Sequence, residues 1–171
     1  MKLHYCLALV LGACLYATTI AAESASDEIL GNWYTKDNES QVKIVKKTDA
    51  NGKSTYFGTL VWFENPVYEE DDPEAGVILH DRKNKDKARQ ADPLLGLQML
   101  KNFSYDSDDK EWNAGTIYDP NVGKTYKCTI RIADDPDAPG QRILNVRGYI
   151  GIPTFGRTEI WKQVPPEKNT E

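Results

Sequence analysis

The sequence predicts an all-β protein, an antiparallel barrel or sandwich of roughly eight to ten strands with one short helical or irregular segment near 82–92. Three observations carry that reading. Apolar and polar residues alternate over short runs, the period of a half-buried strand. Clusters of Gly, Pro, Asn and Asp separate the runs, as turns do. The stretch from Trp112 to Ile132 holds both strands and the turn of a hairpin. In its second half Tyr126, Cys128, Ile130 and Ile132 share one face; in its first half Trp112, Ala114, Thr116 and Tyr118 do, with Ile117 breaking the other face. The two buried faces coincide if Tyr118 lies opposite Tyr126 and Pro120 opposite Lys124. That register leaves Asn121-Val122-Gly123 as a loop whose last residue is left-handed, a place suited to glycine.

The chain has 171 residues, and its first part reads as a signal peptide. Lys2 is followed by an apolar run from Leu3 to Leu15 and by small residues ending at Ala22. The run is too short for a membrane span. Leu11-Gly12-Ala13-Cys14 resembles a lipoprotein site, but the apolar residues after Cys14 favour ordinary cleavage and a periplasmic or secreted domain. Residues 23–164 then form one domain and 165–171 a polar tail. All 26 acidic residues and all but one of the 21 basic ones lie beyond residue 22, an acidic excess that disfavours nucleic acid. Of the three cysteines only Cys128 follows the signal, so no internal disulfide is available. Its place on the hairpin's apolar face marks it as an inert core thiol.

Taken in order, residues 31–34 open the first strand, 41–46 form a second, and Asp49–Gly52 a turn. Ser54–Phe63 is a long strand in which Gly58 suggests a bulge. Glu64–Glu74 is an acidic loop, and Val77–Leu79 a short strand. Asp81, Asn84, Asp86 and Arg89 recur at helical spacing before Pro93 ends the pattern. Extended structure resumes over 97–105, Asp106–Asp109 turns into the central hairpin, and 142–150 and 156–164 are the last strands.

Few motifs carry chemistry. Val122-Gly123-Lys124-Thr125 lacks the first glycine of a phosphate loop, whose place Tyr118 takes, and a strand follows it. Asp106-Ser107-Asp108 begins like a calcium loop but meets Lys110 at the next ligand position. Glu69, Glu70, Asp71, Asp72 and Glu74 read as a solvated acidic loop. His80 is the single histidine after the signal, which excludes a multi-histidine metal site, and neither a metal nor another cofactor is expected. Two constellations remain. Trp33, Trp62, Trp112, Tyr118, Tyr126 and Trp161 come from separate strands and either line a ligand cavity or fill a solid core. Asp81, Asn84, Asp86 and Arg89, together with Arg157, form a structural clamp or a polar rim, with Asp81 and Asp86 paired to Arg89.

Several stretches resemble a bacterial exported family known as domain of unknown function 2147. They are Gly31-x-Trp33, Asp81-x-x-Asn84-x-Asp86-x-x-Arg89-x-x-x-Pro93-Leu94-x-Gly96-Leu97, Trp112-x-x-Gly115-x-Ile117-Tyr118-Asp119-Pro120-x-x-Gly123-Lys124-x-Tyr126, Val146-Arg147-Gly148-Tyr149-Ile150-Gly151 and Gly156-Arg157-Thr158-x-x-Trp161. Lys85 departs from the proline of the family's Asn-Pro-Asp form, and the loops at 64–74 and 134–140 are longer than usual. The resemblance implies a calycin-type, lipocalin-like barrel in which Arg157 or Arg147 covers Trp33 by stacking. It brings no settled activity. The expected function is therefore non-enzymatic binding of a small apolar or amphipathic ligand inside the barrel. The alternative is a cell-envelope protein interaction module with a solid core. A hydrolase using Asp81, Asp86 or His80 ranks third.

Overall fold

The computed structural model describes residues 25–165. The expected signal segment 1–22, with Cys6 and Cys14, and all of the tail except Pro165 lie outside them. Eight strands follow one another: β1 Gly31–Tyr34, β2 Ser40–Thr48, β3 Ser54–Phe63, β4 Gln98–Asp106, β5 Glu111–Asp119, β6 Lys124–Asp134, β7 Arg142–Tyr149 and β8 Arg157–Gln163. Each pairs antiparallel with the next, and β8 returns to β1, so the sheet closes into a barrel. Closure leaves no full-length edge for another chain to extend. The closing seam is short: Trp33 pairs with Gln163 and Tyr34 with Lys162. Among the described residues helix is limited to a short turn at 25–27 and three 3-10 turns, at Lys36–Asn38, Lys87–Arg89 and Pro153–Phe155.

The β5–β6 hairpin forms one residue away from the register that alternation suggests. Tyr118 pairs with Thr125 and Asp119 with Lys124, so Pro120–Gly123 is a four-residue loop. Gly123 does take the left-handed conformation, at φ 63°. A slip of one exchanges the faces of a strand. Ile117, opposite Tyr126, consequently points into the barrel, and Tyr118 points out. The strand still buries Trp112 because the register shifts again between Trp112 and Gly115, where Ala114 has φ 57°. β4 is kinked at the same level, with Asn102 at φ 64°. The two kinks match, so β4 and β5 stay paired on either side of them, Leu100 with Ile117 and Ser104 with Asn113. Such paired bulges bend a sheet round a barrel corner. Gly115 is required there, since a side chain would run into the Phe103 ring. Gly58 meets the same need against Leu100, whose side chain a Cβ would approach to 2.7 Å.

One end of the barrel is filled and closed. Trp33, Tyr56, Phe103 and Trp112 are all buried in it, and Tyr56 meets Trp112 edge to face at 6.3 Å. The segment before β1 forms the lid of this end. Trp33 Nε1 donates to the carbonyl of Ile29 at 2.8 Å, and Trp112 Nε1 to that of Ser26 at 3.3 Å. Both indoles thus bury their apolar area without leaving an N–H unsatisfied. Lys46 holds Asp27 at 2.7 Å across the same joint.

The opposite end is covered in part by the long connection between β3 and β4. Val77–Leu79 is not a strand of the barrel but part of this connection, where one bridge joins Val67 to Ile78. A second joins His80 to Pro93. The acidic loop is more ordered than a solvated loop would be. Arg82 makes two hydrogen bonds to Asp72, both at 2.7 Å, and one to Glu74 at 3.0 Å. Its guanidinium lies 4.0 Å from the centre of the Tyr68 ring. The Arg82 hydrogen bonds hold the Asp72 carboxyl down to about 2. Helical spacing in 81–89 yields only the 3-10 turn 87–89, capped by Asp86, whose carboxylate accepts from the Ala88 N–H at 3.0 Å.

Candidate functional site

Above the filled end the barrel is open, and its interior continues into a cavity of about 1110 Å3 lying beneath the β3–β4 connection. Its walls are the inward residues of the upper strands, among them Leu60, Met99, Ile117, Tyr126, Val146 and Trp161. Its rim is polar, formed by residues such as Ser40, Glu64, Tyr68, His80 and Arg82. Apolar side chains lie at its base and many charged and polar ones at its mouth, an arrangement that suits a ligand with an apolar end and a polar one.

The six aromatic candidates divide between three environments. Trp161 and Tyr126 line the cavity. Trp33 and Trp112 lie in the filled end, away from it. Trp62 is 40% exposed on the outside, edge to face with Tyr34 at 6.0 Å. The physical reason is the register shift between Gln41 and Val42, which pairs Val42 with Leu60 and leaves Leu60, not Trp62, inside. Tyr118 touches the cavity rim, but its hydroxyl turns outward and donates to Asp81 Oδ1 at 2.7 Å.

Asp81 is the centre of the polar constellation. It is fully buried and accepts a second hydrogen bond, at 2.7 Å, from Asn84 Nδ2. Its backbone N–H reaches the carbonyl of Asp92. Burial and the Asp81 carboxylate beside it push the Tyr118 phenol up to about 12, so this O–H stays a donor. Asn84 extends the network, with Oδ1 accepting from the Asp86 N–H at 2.9 Å. Arg89 is not part of it. Its ion pair is with Asp92 at 3.0 Å, both side chains about half exposed at 49% and 48%. The expected salt-bridged clamp is replaced by Asp81, Asn84 and Tyr118, with a hydroxyl in place of the guanidinium. This network fastens the β3–β4 connection to β5, with a small cleft of about 190 Å3 beside it. Gly123 completes the joint, because the Lys83 carbonyl occupies the space that a Cβ there would need.

His80 is held by its surroundings. Nδ1 lies 2.6 Å from the Gln90 carbonyl, and Nε2 lies 3.3 Å from Glu74. Neither arginine covers Trp33 in the way the family resemblance implies. Arg147 binds the Pro153 and Thr154 carbonyls and Thr158 Oγ1 on the outside. Arg157 lies at the cavity. Cys128 is buried and free, and burial pushes its thiol up to about 12. Among the described residues no group of three His, Cys, Asp or Glu side chains could hold a metal ion. None of the described helices is long and apolar enough to cross a membrane.

Sequence reasoning missed Glu159, Tyr68 and Arg82. Glu159 was findable, since it shares the face of Arg157 and Trp161 on one strand. Tyr68 and Arg82 are contributed by a folded loop, whose long-range contacts leave no periodic trace.

The fold has a solved counterpart. Protein HP1028 from the human pathogen Helicobacter pylori, described as belonging to the lipocalin family, superposes with a TM-score of 0.58 at 18% identity. The match covers 82% of this chain and 85% of that one. It supports a lipocalin-like antiparallel barrel. No curated protein matches. Residues 31–163 match the model of the family described as "Uncharacterized protein conserved in bacteria (DUF2147)", and the chain belongs to that family.

Proposed function

We propose that the protein is a non-enzymatic binding barrel that holds a small apolar or amphipathic molecule, and that it acts after export to the periplasm or beyond. The observation that carries this reading is the cavity of about 1110 Å3 floored by Trp161, in a barrel whose other end is solidly packed. Small-molecule sites span about 300–1,000 Å3, so the space suits an extended ligand. Binding there needs no catalytic group, and His80 and Asp81 are both engaged in holding the β3–β4 connection.

The test is uptake of an uncharged apolar fluorophore, displaced by lipids extracted from the native host. Gly148 gives the control. It faces the cavity with backbone any residue can adopt, and a Cβ there meets nothing closer than Ile117 at 3.5 Å. Gly148→Leu should therefore occlude the site without unfolding the barrel, and uptake should fall. A wild-type protein that takes up no probe would end the proposal. Export is tested separately, by sequencing the N-terminus of protein from the extracytoplasmic fraction. It should begin at Glu23; an acylated Cys14 would assign it to the lipoproteins instead.

A second reading, docking to a protein of the cell envelope, draws on the β7–β8 loop. Ile150 and Phe155 are 74% and 82% exposed there, beside the cavity mouth.

A further inference from the structure

Two opposite charges stand on the β8 wall of the cavity without pairing to each other. On β8 the inward side chains are Arg157, Glu159 and Trp161, in that order from the mouth towards the filled end. Their outward neighbours Thr158 and Ile160 confirm the phase: Thr158 bonds to Arg147 outside, and Ile160 is exposed. Among the described residues the Arg157 side chain has no hydrogen-bond or ion-pair partner. Among the described residues the Glu159 side chain has one polar contact, the indole N–H of Trp161 at 3.4 Å, and no cationic partner. The two do not close on each other, and two strand residues on one face stand about 6.6 Å apart. Opposite Arg157 on β7 is Gly148, which leaves the space in front of the guanidinium empty.

The rest of the mouth narrows the class of ligand. Glu39, Glu64, Glu69, Asp71 and Asp119 outnumber Lys36 and Lys83 along it, and the nearby Arg82 is already bound to Asp72 and Glu74. This acidic rim repels an anionic amphiphile. A purely cationic one would satisfy Glu159 but place its charge beside Arg157. A zwitterion avoids both costs, provided that its charges come in the right order. The cation must lie next to the apolar chain, at the depth of Glu159 and the Trp161 ring. The anion must lie outside it, at Arg157. A carboxylate favours such an ammonium, and a guanidinium an acid group.

We propose that the cavity binds an amphiphile of the betaine or long-chain amino-acid type: apolar tail inward, ammonium on Glu159, acid group on Arg157. This rests on the binding-barrel reading and adds the polarity of the ligand to it. Phospholipid-like headgroups, whose ammonium lies outside the phosphate, have the opposite order.

The test displaces the apolar fluorophore with four amphiphiles of one chain length, each below its micelle concentration: decyl sulfobetaine, decylphosphocholine, decanoate and decyltrimethylammonium. The sulfobetaine should compete best, roughly tenfold better than the phosphocholine, because like-charge contacts replace charge-assisted ones when the order is reversed. The exchange Arg157→Glu with Glu159→Arg should invert that preference, read as the ratio of the two zwitterions' displacement constants so that any change in fluorophore affinity cancels. Both side chains are exposed to the cavity's solvent, so the variant should fold, and far-UV circular dichroism checks it. Fluorophore uptake with equal displacement by the two zwitterions, or a preference that survives the exchange, would overturn this inference alone. A wild-type protein that takes up no fluorophore would remove the binding-barrel reading and this inference with it.

Discussion

At the scale of single residues, the contrast between Tyr118 and Arg89 shows how burial decides an interaction's worth. Tyr118 supplies one of two side-chain hydrogen bonds to a carboxylate with no solvent access. Tyr118→Phe removes that donor and keeps the ring, so the loss should be about 1–3 kcal/mol, the cost of an unsatisfied buried group. Arg89 and Asp92 are half in water, and Arg89→Ala should cost less than about 1 kcal/mol. Urea melts of the two variants test the ranking; equal losses would mean that Asp81 does not anchor the connection. Cys128 gives a second residue-scale prediction. A thiol reagent should label it slowly in the native protein and fast in denaturant, because the thiol is buried. Burial also raises its pKa from 9.0 to about 12, so the folded state holds the proton more tightly. Its contribution is intact below pH 9 and is lost as the pH climbs towards 12, where the unfolded thiol ionises first. Cys128→Ala should flatten that part of the stability curve.

At the scale of elements, the strands were legible because each buries one face and so leaves a period of two. Ser54–Phe63 and the turn after Thr48 were read directly, the turn from an Asp49 whose side chain accepts from the Asn51 and Lys53 N–H groups. What the period could not show was where it breaks. Ala114 and Asn102 adopt positive φ inside strands, although neither is glycine. Trp112 and Ile117, five residues apart, therefore share the inside. Ile117 was the clue, an apolar residue out of phase with its strand. The hairpin loop tests the other element-scale claim, that Gly123 serves both a turn and a contact. Gly140 has a similar left-handed φ, 86°, with nothing around it, whereas Gly123 abuts the Lys83 carbonyl. Gly140→Ala should cost about 1 kcal/mol, from the backbone alone. Gly123→Ala should cost distinctly more, since the β3–β4 connection must move away as well. Equal losses in chemical denaturation would show that the contact carries no stability.

At the scale of the whole molecule, the barrel joins a packed half to an open half, and the tryptophans report on both. The sequence placed four of them on separate strands but could not say which half each would occupy. That depends on strand tilt and bulges, which are set by pairings distant in the chain. Trp112 belongs to the packed half, against Tyr56 and Tyr105, with its N–H bound by Ser26. Removing its ring leaves a cavity that the closed end cannot collapse. Trp112→Ala should destabilise by about 3–5 kcal/mol, typical of a buried aromatic. Probe affinity, measured well below the melting temperature, should hardly change. Trp161 is equally buried from solvent but forms part of the cavity wall. Trp161→Ala enlarges an existing space, so its stability loss should be the smaller of the two while probe affinity shifts by an appreciable factor. Trp62→Ala, on the outside, should affect neither. Circular dichroism melts paired with probe titrations would separate the three. A Trp112 variant that loses probe binding at full stability, or a Trp161 variant that keeps it unchanged, would show that the ligand space lies elsewhere in the barrel.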